Sequence, residues 1–352
     1  MKALVAMSGG VDSSVAAALM QHQGHDVIGV TLKQWEGPDG QMPTAGCCTV
    51  ADATDARRVA AQLGIPYYVL DYTEEFRSSV VDRFGADYLA GRTPNPCVEC
   101  NRRVRFKALL DRATDLDCEV LVTGHHARVV FEDGSFRLKK GLDAGKDQSY
   151  VLHMLGQDEL AKVQLPVGEL TKAEVRAIAS DLGLRTANKP DSQDICFVDG
   201  DYRDFLTTYF PETAQPGPIV NTDGEVVGRH DGTSGFTIGQ RKGLGVAVGE
   251  PRFVVELKPA SATVVIGDRG SLGSTLCRVD EVSWVDREPA DSFRADVKVR
   301  YRSEGAAARV DRAGEGWLAS FDQPVEAVAP GQAAVFYRSD EVLGGGTIST
   351  AA

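Results

Sequence analysis

The alternation of apolar and polar positions divides the chain into two differently patterned parts. Up to about residue 205, short apolar runs at 2–7, 27–32, 67–70 and 119–123 alternate with segments of helical periodicity. The helical segments lie at 13–23, 50–63, 74–90 and 104–114. Thr171-Lys172-Ala173-Glu174 predicts one more capped helix, ending at Gly183. This alternation predicts a parallel sheet with helices on both faces, the doubly wound α/β class.

The pattern changes beyond Pro211, Pro216 and Pro218. From there, short alternating segments bounded by Gly, Pro and Asp predict strands at 253–257, 263–266, 295–301, 317–321 and 333–337. The glycine run at 344–346 predicts a hairpin turn, and the region is typical of a small barrel or sandwich. We therefore expect an α/β catalytic domain at 1–205, a small central domain at 206–270 and a C-terminal β-barrel at 271–352.

Composition narrows the class of protein. The 352 residues, of which 43% are hydrophobic and 25% charged, are typical of a globular chain with two or three domains. Seven cysteines, an odd number, argue against a disulfide framework. No signal-type segment and no apolar run of membrane-spanning length is found, so we expect a cytoplasmic protein without a membrane partner. Because the net charge is −12, any RNA surface must be a local patch.

A glycine-rich loop follows the first predicted strand. Ser8-Gly9-Gly10-Val11-Asp12-Ser13-Ser14 separates that strand from an alanine-rich helix. Glycines let backbone N–H groups approach an anion, the serines add hydroxyl donors, and a helix N-terminus favours negative charge. Asp12 is suited to hold Mg²⁺ beside phosphates. The sequence lacks the Gly-Lys-Ser/Thr ending of a Walker A loop, so we expect a different class of ATP-binding loop.

Cysteines supply a second candidate site. Cys97 and Cys100 lie in a proline-rich loop, ahead of a helix that we predict to begin near Arg103. The helix N-terminus and nearby cations favour thiolates and offer a local phosphate patch. These cations are Arg102, Arg103, Arg105 and Lys107. Cys196 follows in a separate polar loop.

The Cys-x-x-Cys pair alone is compatible with structural zinc, redox chemistry or iron–sulfur ligation. No second close Cys or His pair accompanies it, and the adjacent His125 and His126 would point to opposite sides of an extended segment. We interpret the remaining cysteines as buried or incidental thiols. They are Cys47, Cys48, Cys118 and Cys277.

Longer segments carry a family resemblance across nearly the whole chain. They are Ala6-Met7-Ser8-Gly9-Gly10-Val11-Asp12-Ser13, Leu32-Lys33-Gln34-Trp35, 93–101, Thr123-Gly124-His125, 145–150, Cys196-Phe197, 237–243 and 299–302. In these segments the chain resembles the bacterial tRNA-specific 2-thiouridylases, the MnmA/TrmU family of PP-loop ATP pyrophosphatases. The resemblance implies ATP-dependent 2-thiolation of the wobble uridine of tRNA.

The resemblance also implies roles for individual residues. ATP would lie over the loop 6–13, with Asp12 acting in catalysis and with Leu32 and Gly124 on the adenine and ribose side. The uridine O2 would attack the α-phosphate, so that sulfur can later displace AMP from C2. Cys196 would carry a persulfide and Cys100 would release its terminal sulfur, closing a Cys100–Cys196 disulfide. The implied tRNA contacts are Asn95, Pro96, Cys97, His125, Lys146, Asp147, Gln148, Arg300, Tyr301 and Gln332.

One position departs from the family pattern. Many members have aspartate where this chain has Cys97. Cys97, Cys100 and Cys196 match the ligand set of a [4Fe-4S] cluster with one open iron, which the resemblance associates with members of this cysteine type. Cluster delivery of sulfur and a persulfide relay are therefore both open. The implied partners are tRNA, with lysine, glutamate and glutamine acceptors expected, and a sulfur-relay donor or cysteine desulfurase.

Two other classes of protein share part of this pattern. A different PP-loop AMP-forming ligase would have the loop 6–13 but no need for three cysteines. A non-catalytic iron–sulfur RNA-binding protein would need the cysteines but not an intact ATP loop. The chain has both features, which favours the thiolation enzyme over either alternative.

Overall fold

The described part of the chain folds into strands and helices joined by short 3₁₀ and π-helical turns. The computed structural model describes residues 1–37, 49–191, 195–246 and 249–352. Cys47, Cys48 and residues 192–194 of the Cys196 loop lie outside these ranges.

The helices are α1 (Val11–His22), α2 (Val50–Leu63), α3 (Thr73–Phe76), α4 (Asp82–Leu89), α5 (Pro96–Glu99), α6 (Phe106–Asp115), α7 (Gln157–Leu160), α8 (Lys172–Asp181) and α9 (Tyr202–Tyr209). The strands are β1 (Lys2–Ala6), β2 (Asp26–Lys33), β3 (Tyr67–Asp71), β4 (Val120–Val122), β5 (Ala127–Glu132), β6 (Ser135–Lys140), β7 (Val163–Gln164), β8 (Gly217–Asn221), β9 (Val226–His230), β10 (Phe253–Lys258), β11 (Thr263–Gly267), β12 (Gly273–Trp284), β13 (Ser292–Lys298), β14 (Ala306–Ala313), β15 (Gly316–Glu326), β16 (Ala333–Arg338) and β17 (Glu341–Ala351).

A parallel sheet in the order β3-β2-β1-β4-β7 forms the N-terminal layer. Alternate residues of β1 face opposite sides of this sheet. Val5 packs in a cluster with Val15 of α1 and Val59 of α2, whereas Leu4 packs in a second cluster with Leu109 of α6. The doubly wound arrangement predicted from the sequence is therefore confirmed, with a core on each face.

Two predicted helix boundaries have a clear local cause. Thr49 and Asp52 form a capping box at the start of α2, and Gly64 ends that helix in the left-handed region at φ 70°. Thr171 and Glu174 form the expected capping box of α8. That helix ends at Asp181, with Gly183 at φ 63° shortly after it. Short-range side-chain chemistry determines both helices, which is why the sequence predicts them.

The helix that contains the cysteine pair begins earlier than predicted. It starts at Pro96 as α5, continues through a π-helical turn at Cys100–Arg105 and ends with α6. Asn95 is the N-cap and its side chain accepts a hydrogen bond from the Val98 N–H, while Pro96 occupies the first helical position. The prediction of a start near Arg103 was wrong, because the proline is a helix initiator rather than part of a loop. Both thiols therefore lie within the helix.

A six-stranded antiparallel barrel forms the C-terminal part. Its strands follow the order β12-β15-β14-β13-β16-β17, and the pairing of β12 with β17 closes it. The β5–β6 hairpin, which belongs to the N-terminal half of the sequence, extends this sheet through Leu138 opposite Val342. The sequence analysis did not anticipate this hairpin. It joins the barrel to the catalytic layer by backbone pairing.

Two predictions in the barrel were wrong. Gly344, Gly345 and Gly346 do not form a turn but lie inside β17, paired with β16. A Cβ on Gly344 would lie 2.4 Å from the Ser283 carbonyl oxygen, so the strand needs glycine where it crosses β12. The segment predicted as a strand to residue 301 ends at Lys298, which leaves Arg300 in the connection that follows.

A small β unit lies between the two larger parts. Its sheet has the order β10-β11-β8-β9 and its core contains Ile219, Phe236, Val254 and Val264. The architecture of an α/β layer, a small central unit and a C-terminal barrel is thus the predicted one. None of the helices within the described ranges has the length and apolarity needed to cross a membrane.

Candidate active site and nucleic-acid interface

The glycine loop lies at the carboxyl ends of β1 and β4. The sheet order reverses direction between these strands, which is where open α/β sheets bind ligands. Gly9 has φ 72°, and a Cβ there would lie 2.3 Å from the Asp52 carbonyl oxygen. A Cβ on Gly124 would lie 2.6 Å from the Ser13 nitrogen. Both glycines therefore allow a backbone approach that no larger residue could adopt.

The start of α1 is open for an anion. Gly10 is its N-cap and supplies no capping side chain, so the first N–H groups lack a side-chain acceptor. The serine hydroxyls were predicted to donate to an anion, but those of Ser13 and Ser14 bond within the loop. Ser13 Oγ accepts from the Ser8 N–H at 3.1 Å, and Ser14 Oγ donates to the Gly10 carbonyl at 2.8 Å. Ser14 is fully buried, so its hydroxyl shapes the loop rather than facing a ligand.

Asp12 is already engaged by two basic side chains. Lys172 Nζ lies 2.7 Å from each Asp12 carboxylate oxygen, and His126 Nε2 lies 3.1 Å from Oδ1. Burial alone would raise the pKa of Asp12, but the hydrogen bonds from His126 and Lys172 outweigh it and hold the pKa below its usual value. Oδ1 of Asp12 therefore accepts two hydrogen bonds and Oδ2 one, so Lys172 occupies the place beside the carboxylate that a Mg²⁺ ion would share.

Lys172 and Asp191 extend the network beyond the loop. Asp191 accepts from Lys172 at 2.8 Å and from Lys146 at 2.7 Å. Burial opposes ionisation of Asp191, yet these two lysines lower its pKa to about 2. Neither Lys172 nor Asp191 was predicted as a site residue, because Lys172 belongs to the capping box of α8 and Asp191 to a polar loop. The position of Asp191 in the loop before Cys196 was the available signal.

The segment that follows β2 contacts Cys100 and the residue after Cys196. Gln34 Nε2 donates to Cys100 Sγ at 3.2 Å, and both side chains are buried. Trp35 packs edge-on against Phe197, with ring centroids 6.2 Å apart. Cys196 itself is half-buried at the edge of the core cluster that contains Cys100.

The proposed cluster ligands do not assemble in this structure. Cys97 is exposed, Cys100 is buried and Cys196 is half-buried. Within the described ranges, no group of three or more His, Cys, Asp or Glu side chains is arranged to hold a metal ion. The residues as arranged do not fit a [4Fe-4S] cluster, and a Cys100–Cys196 disulfide is not seen either.

The barrel holds the loop that leads into Cys97. Gln332 Nε2 donates to the carbonyl oxygens of Thr93 at 3.0 Å and Pro94 at 3.1 Å. The Thr93 N–H in turn donates to the Pro330 carbonyl at 2.7 Å. Gly331 has φ 92°, and a Cβ there would lie 2.8 Å from the Thr93 carbonyl oxygen. In this structure Gln332 therefore supports the loop through its backbone.

Tyr301 lies within electrostatic range of the exposed Cys97 thiol. Burial raises the pKa of the Tyr301 phenol, and negative charge on Asp147 and Cys97 raises it further. Tyr150 lies 6.1 Å from Tyr301 between ring centroids, and its phenol hydrogen-bonds to the Asn95 side chain. Residues from distant segments of the chain therefore lie near the Asn95–Cys97 segment.

Other predicted tRNA contacts have structural partners. The Arg300 guanidinium donates to the Ile238 carbonyl at 2.7 Å, which ties the barrel to the central unit. Gln148 Oε1 accepts from the His126 N–H at 2.9 Å. His125 is buried, with Nδ1 2.8 Å from Thr123 Oγ1, and its ring points away from the Asp12 side where His126 lies. The expectation that the two histidines diverge is confirmed.

Two of the four cations in the predicted basic patch after Cys100, Arg102 and Arg103, are ion-paired, while Lys107 is exposed. Glu99 is buried and pairs with Arg103 at 2.8 Å and Arg102 at 3.7 Å. Arg105 is directed inward, 3.3 Å from Asn101 Oδ1 and 3.5 Å from His125 Nε2. The sequence could not show this, because Glu99 lies before the run of cations and only the helix brings it alongside.

Comparison with protein-family models gives three consecutive matches. The tRNA methyl transferase HUP domain matches residues 1–200, the tRNA methyl transferase PRC-barrel domain residues 203–268, and the aminomethyltransferase beta-barrel domain residues 274–348. The first of these covers more than half of the chain.

Full-length relatives are similarly consistent. The tRNA-specific 2-thiouridylase MnmA of Chloroflexus aurantiacus is 50% identical over 350 residues, which cover 98% of each chain. The protein of that name from Carboxydothermus hydrogenoformans is 48% identical over 356 residues, 99% of this chain and 97% of the relative. That from Lachnoclostridium phytofermentans is 47% identical over 353 residues, 99% of each chain.

Solved structures are more distant. A 4-thiouridine synthetase–RNA complex with bound ATP is 17% identical at a TM-score of 0.36, covering 60% of this chain and 50% of that one. NMN synthetase from Francisella tularensis is 18% identical at a TM-score of 0.34, covering 54% and 65%. These scores are too low for further comparison, whereas the full-length identities are decisive. The chain therefore belongs to the tRNA-specific 2-thiouridylase family.

Proposed function

We propose that the protein is a cytoplasmic ATP-dependent tRNA-uridine 2-sulfurtransferase that acts on the wobble uridine. One observation carries the proposal. Strands β2, β1 and β4 are neighbours in the sheet, and their carboxyl ends lie at one edge. The ATP loop follows β1, Gln34, which bonds to Cys100, follows β2, and Gly124 follows β4. An anion site and a sulfur site at one edge suit a reaction that first activates an oxygen and then replaces it with sulfur.

The first step is adenylation. The uridine O2 forms a bond to the α-phosphorus of ATP while the bond to the β-phosphate oxygen breaks, releasing pyrophosphate. The open N-terminus of α1 and the loop 6–13 bind the phosphates, with Leu32 and Gly124 on the nucleoside side. Asp12 orders the loop through Lys172 and His126, and Lys172 gains phosphate oxygens as partners when ATP arrives.

The second step is sulfur transfer. The terminal sulfur of a Cys196 persulfide attacks C2, and AMP leaves with the C2–O electron pair. The Cys100 thiolate then attacks Cys196 Sγ, so the persulfide S–S bond breaks towards the transferred sulfur and a Cys100–Cys196 disulfide forms. An external dithiol must reduce that disulfide, and a sulfur-relay donor or cysteine desulfurase must reload Cys196. The Gln34 amide bond to Cys100 Sγ supports this use of the buried thiol.

The tRNA would enter over the Asn95–Cys97 segment, where the Cys97 side chain is exposed. The Tyr150 phenol bonds to Asn95, Gln332 bonds to the preceding loop, and charge on Cys97 acts on Tyr301. Lys146, Asp147, Gln148 and Arg300 are the further expected contacts. Anticodons with a wobble uridine are the expected substrates, as in tRNAs for lysine, glutamate and glutamine. The matched domain descriptions mention methyl transfer, but Cys100, bonded to Gln34, and Cys196, whose neighbour Phe197 packs against Trp35, favour sulfur chemistry.

Pyrophosphate release that depends on tRNA tests the proposal. We expect release by the wild type only with a tRNA bearing a wobble uridine, and Asp12→Ala should abolish it while the Kd for tRNA stays unchanged. Asp115→Ala, which removes an exposed carboxylate, is the matched control and should behave as the wild type. Release without tRNA would indicate a different AMP-forming ligase. No release with any tRNA would indicate a non-catalytic RNA-binding protein.

A further inference from the structure

Within the described ranges, three cations that form no ion pair with a carboxylate lie around a tyrosine cluster near Cys97. They are Lys140, Lys298 and Arg300, and the tyrosine cluster consists of Tyr150, Tyr301 and Tyr337. Most other basic side chains that border the site are ion-paired, as Lys146, Lys172 and Arg103 are. In a chain of net charge −12, unpaired cations gathered at one place require an explanation.

Lys298 is the clearest case. It is half-buried at the end of β13, with its ammonium 5.9 Å from the Tyr150 ring centroid and 5.8 Å from that of Tyr337. Among the residues that the structure describes, no carboxylate forms an ion pair with it. Desolvation lowers the pKa of Lys298, although the more distant Asp147 opposes this.

Asp147 is not available as a close partner. Its Oδ1 accepts from the Gly141 N–H at 3.1 Å and the Ser149 N–H at 3.0 Å, while Oδ2 accepts from Ser149 Oγ at 3.0 Å. These bonds hold the carboxylate on the turn that it shapes. The Lys298 ammonium is therefore left with two aromatic faces, which interact weakly with a cation compared with an anion.

Lys140 adds a second charge to the same place. Its ammonium lies 4.6 Å from the Tyr337 ring centroid and donates to the Ser339 carbonyl at 3.0 Å. It is close enough to Lys298 that its charge further lowers the pKa of that lysine. Two like charges held together disfavour the folded state unless an anion joins them.

We propose that Lys298 and Lys140 bind a backbone phosphate of the tRNA strand next to the nucleotide that reaches Cys97, with the tyrosine cluster as the adjoining apolar wall. The inference rests on the proposed function and extends its RNA site by two residues. An ammonium is suited to a phosphate as a compact charge, and aromatic rings next to such a site accept unstacked bases. The bound phosphate supplies the anion that the free protein lacks.

The test compares Lys298→Gln with Lys258→Gln, which removes an exposed and paired lysine from the central unit. We expect Lys298→Gln to lower tRNA affinity by about tenfold at 50 mM salt and to reduce the salt slope of binding by about 1. ATP affinity measured without tRNA should not change, which excludes an ATP phosphate as the ligand. Lys140→Gln should show the same pattern, and Lys258→Gln should not.

Thermal stability separates a binding role from a structural one. A half-buried cation without an anion opposes folding, so Lys298→Gln should have a melting temperature equal to or above that of the wild type. A lower melting temperature with unchanged tRNA affinity would overturn the inference and make Lys298 a packing residue. The proposed function is judged separately, because it fails only if wild-type protein shows no tRNA-dependent pyrophosphate release.

Discussion

At the scale of single residues, charged side chains of the site form ion pairs with one another. Asp12, Lys172, Asp191 and Lys146 satisfy one another at 2.7–2.8 Å, so the groups that would meet phosphates on both the ATP and the RNA side are mutually occupied. If ATP binds as proposed, its phosphates compete with the Asp12 and Asp191 carboxylates for Lys172, and a triphosphate carries more negative charge than either carboxylate.

Cys97→Ser distinguishes the two sulfur routes at this scale. Because the three cysteines do not assemble into a ligand group within the described residues, we expect Cys97→Ser to keep substantial thiolation with a persulfide donor. Cys100→Ser and Cys196→Ser should lose it. Iron content, visible absorption and thiolated tRNA after anaerobic incubation with iron and sulfide provide the measurement.

One result for these variants would contradict the persulfide route. Wild-type protein that binds iron, together with loss of both iron and thiolation in Cys97→Ser, would mean that the cysteines do converge as cluster ligands. Cys118→Ser is a control, since that buried thiol lies after α6 and bonds to the Leu116 carbonyl.

At the scale of elements, the strand β17 and the helix start at Pro96 show how neighbours decide local structure. The local sequence of the β17 glycines predicts a turn, yet in the structure these glycines let the strand pass close to β12, β16 and His153. Pro96 reads as a loop residue, yet the Asn95 cap makes it the first residue of a helix. In both cases the partner that settles the conformation lies outside the short sequence window.

Gly344→Ala tests the role of the strand. Its Cβ would lie 2.4 Å from the Ser283 carbonyl oxygen and 2.7 Å from the Trp284 ring, so β12 must move. We expect the free energy of unfolding to fall by about 1–3 kcal/mol, the usual effect of overpacking. Denaturant titration measures it, with Gly270→Ala as control because its Cβ meets nothing closer than 3.4 Å. Equal stability of the two variants would contradict the observed register.

At the scale of the whole molecule, the barrel and the α/β layer are joined by direct contacts. The β5–β6 hairpin pairs with β17, and the backbone and side-chain contacts of Thr93, Pro330 and Gln332 fix the loop before Cys97. The α/β layer alone would leave that loop without its carbonyl partners. The barrel therefore positions the segment over which we propose that the wobble base binds.

Binding of tRNA should weaken steeply with salt despite the net charge of −12, because local cations release phosphate counterions. The expected source is Lys140, Lys298 and Arg300, which form no ion pair with any carboxylate that the structure describes, rather than the Glu99-paired Arg102 and Arg103. Filter binding between 50 and 200 mM salt would measure the slope. An affinity that stays constant over that range would show that the cations do not meet phosphates.

The sequence by itself determined features with local causes. Apolar runs and capping boxes gave the parallel layer and its helices, as for α2 and α8, and the loop 6–13 predicted an anion site because glycine spacing and a helix start are encoded next to each other. Family resemblance added the roles of the cysteines and the expected RNA contacts. Only the tertiary structure decided which charges are neutralised, as Glu99 neutralises Arg103, and which remain available, as Lys298 does. Pairing between residues far apart in the chain depends on how the elements pack, and no short-range pattern records it.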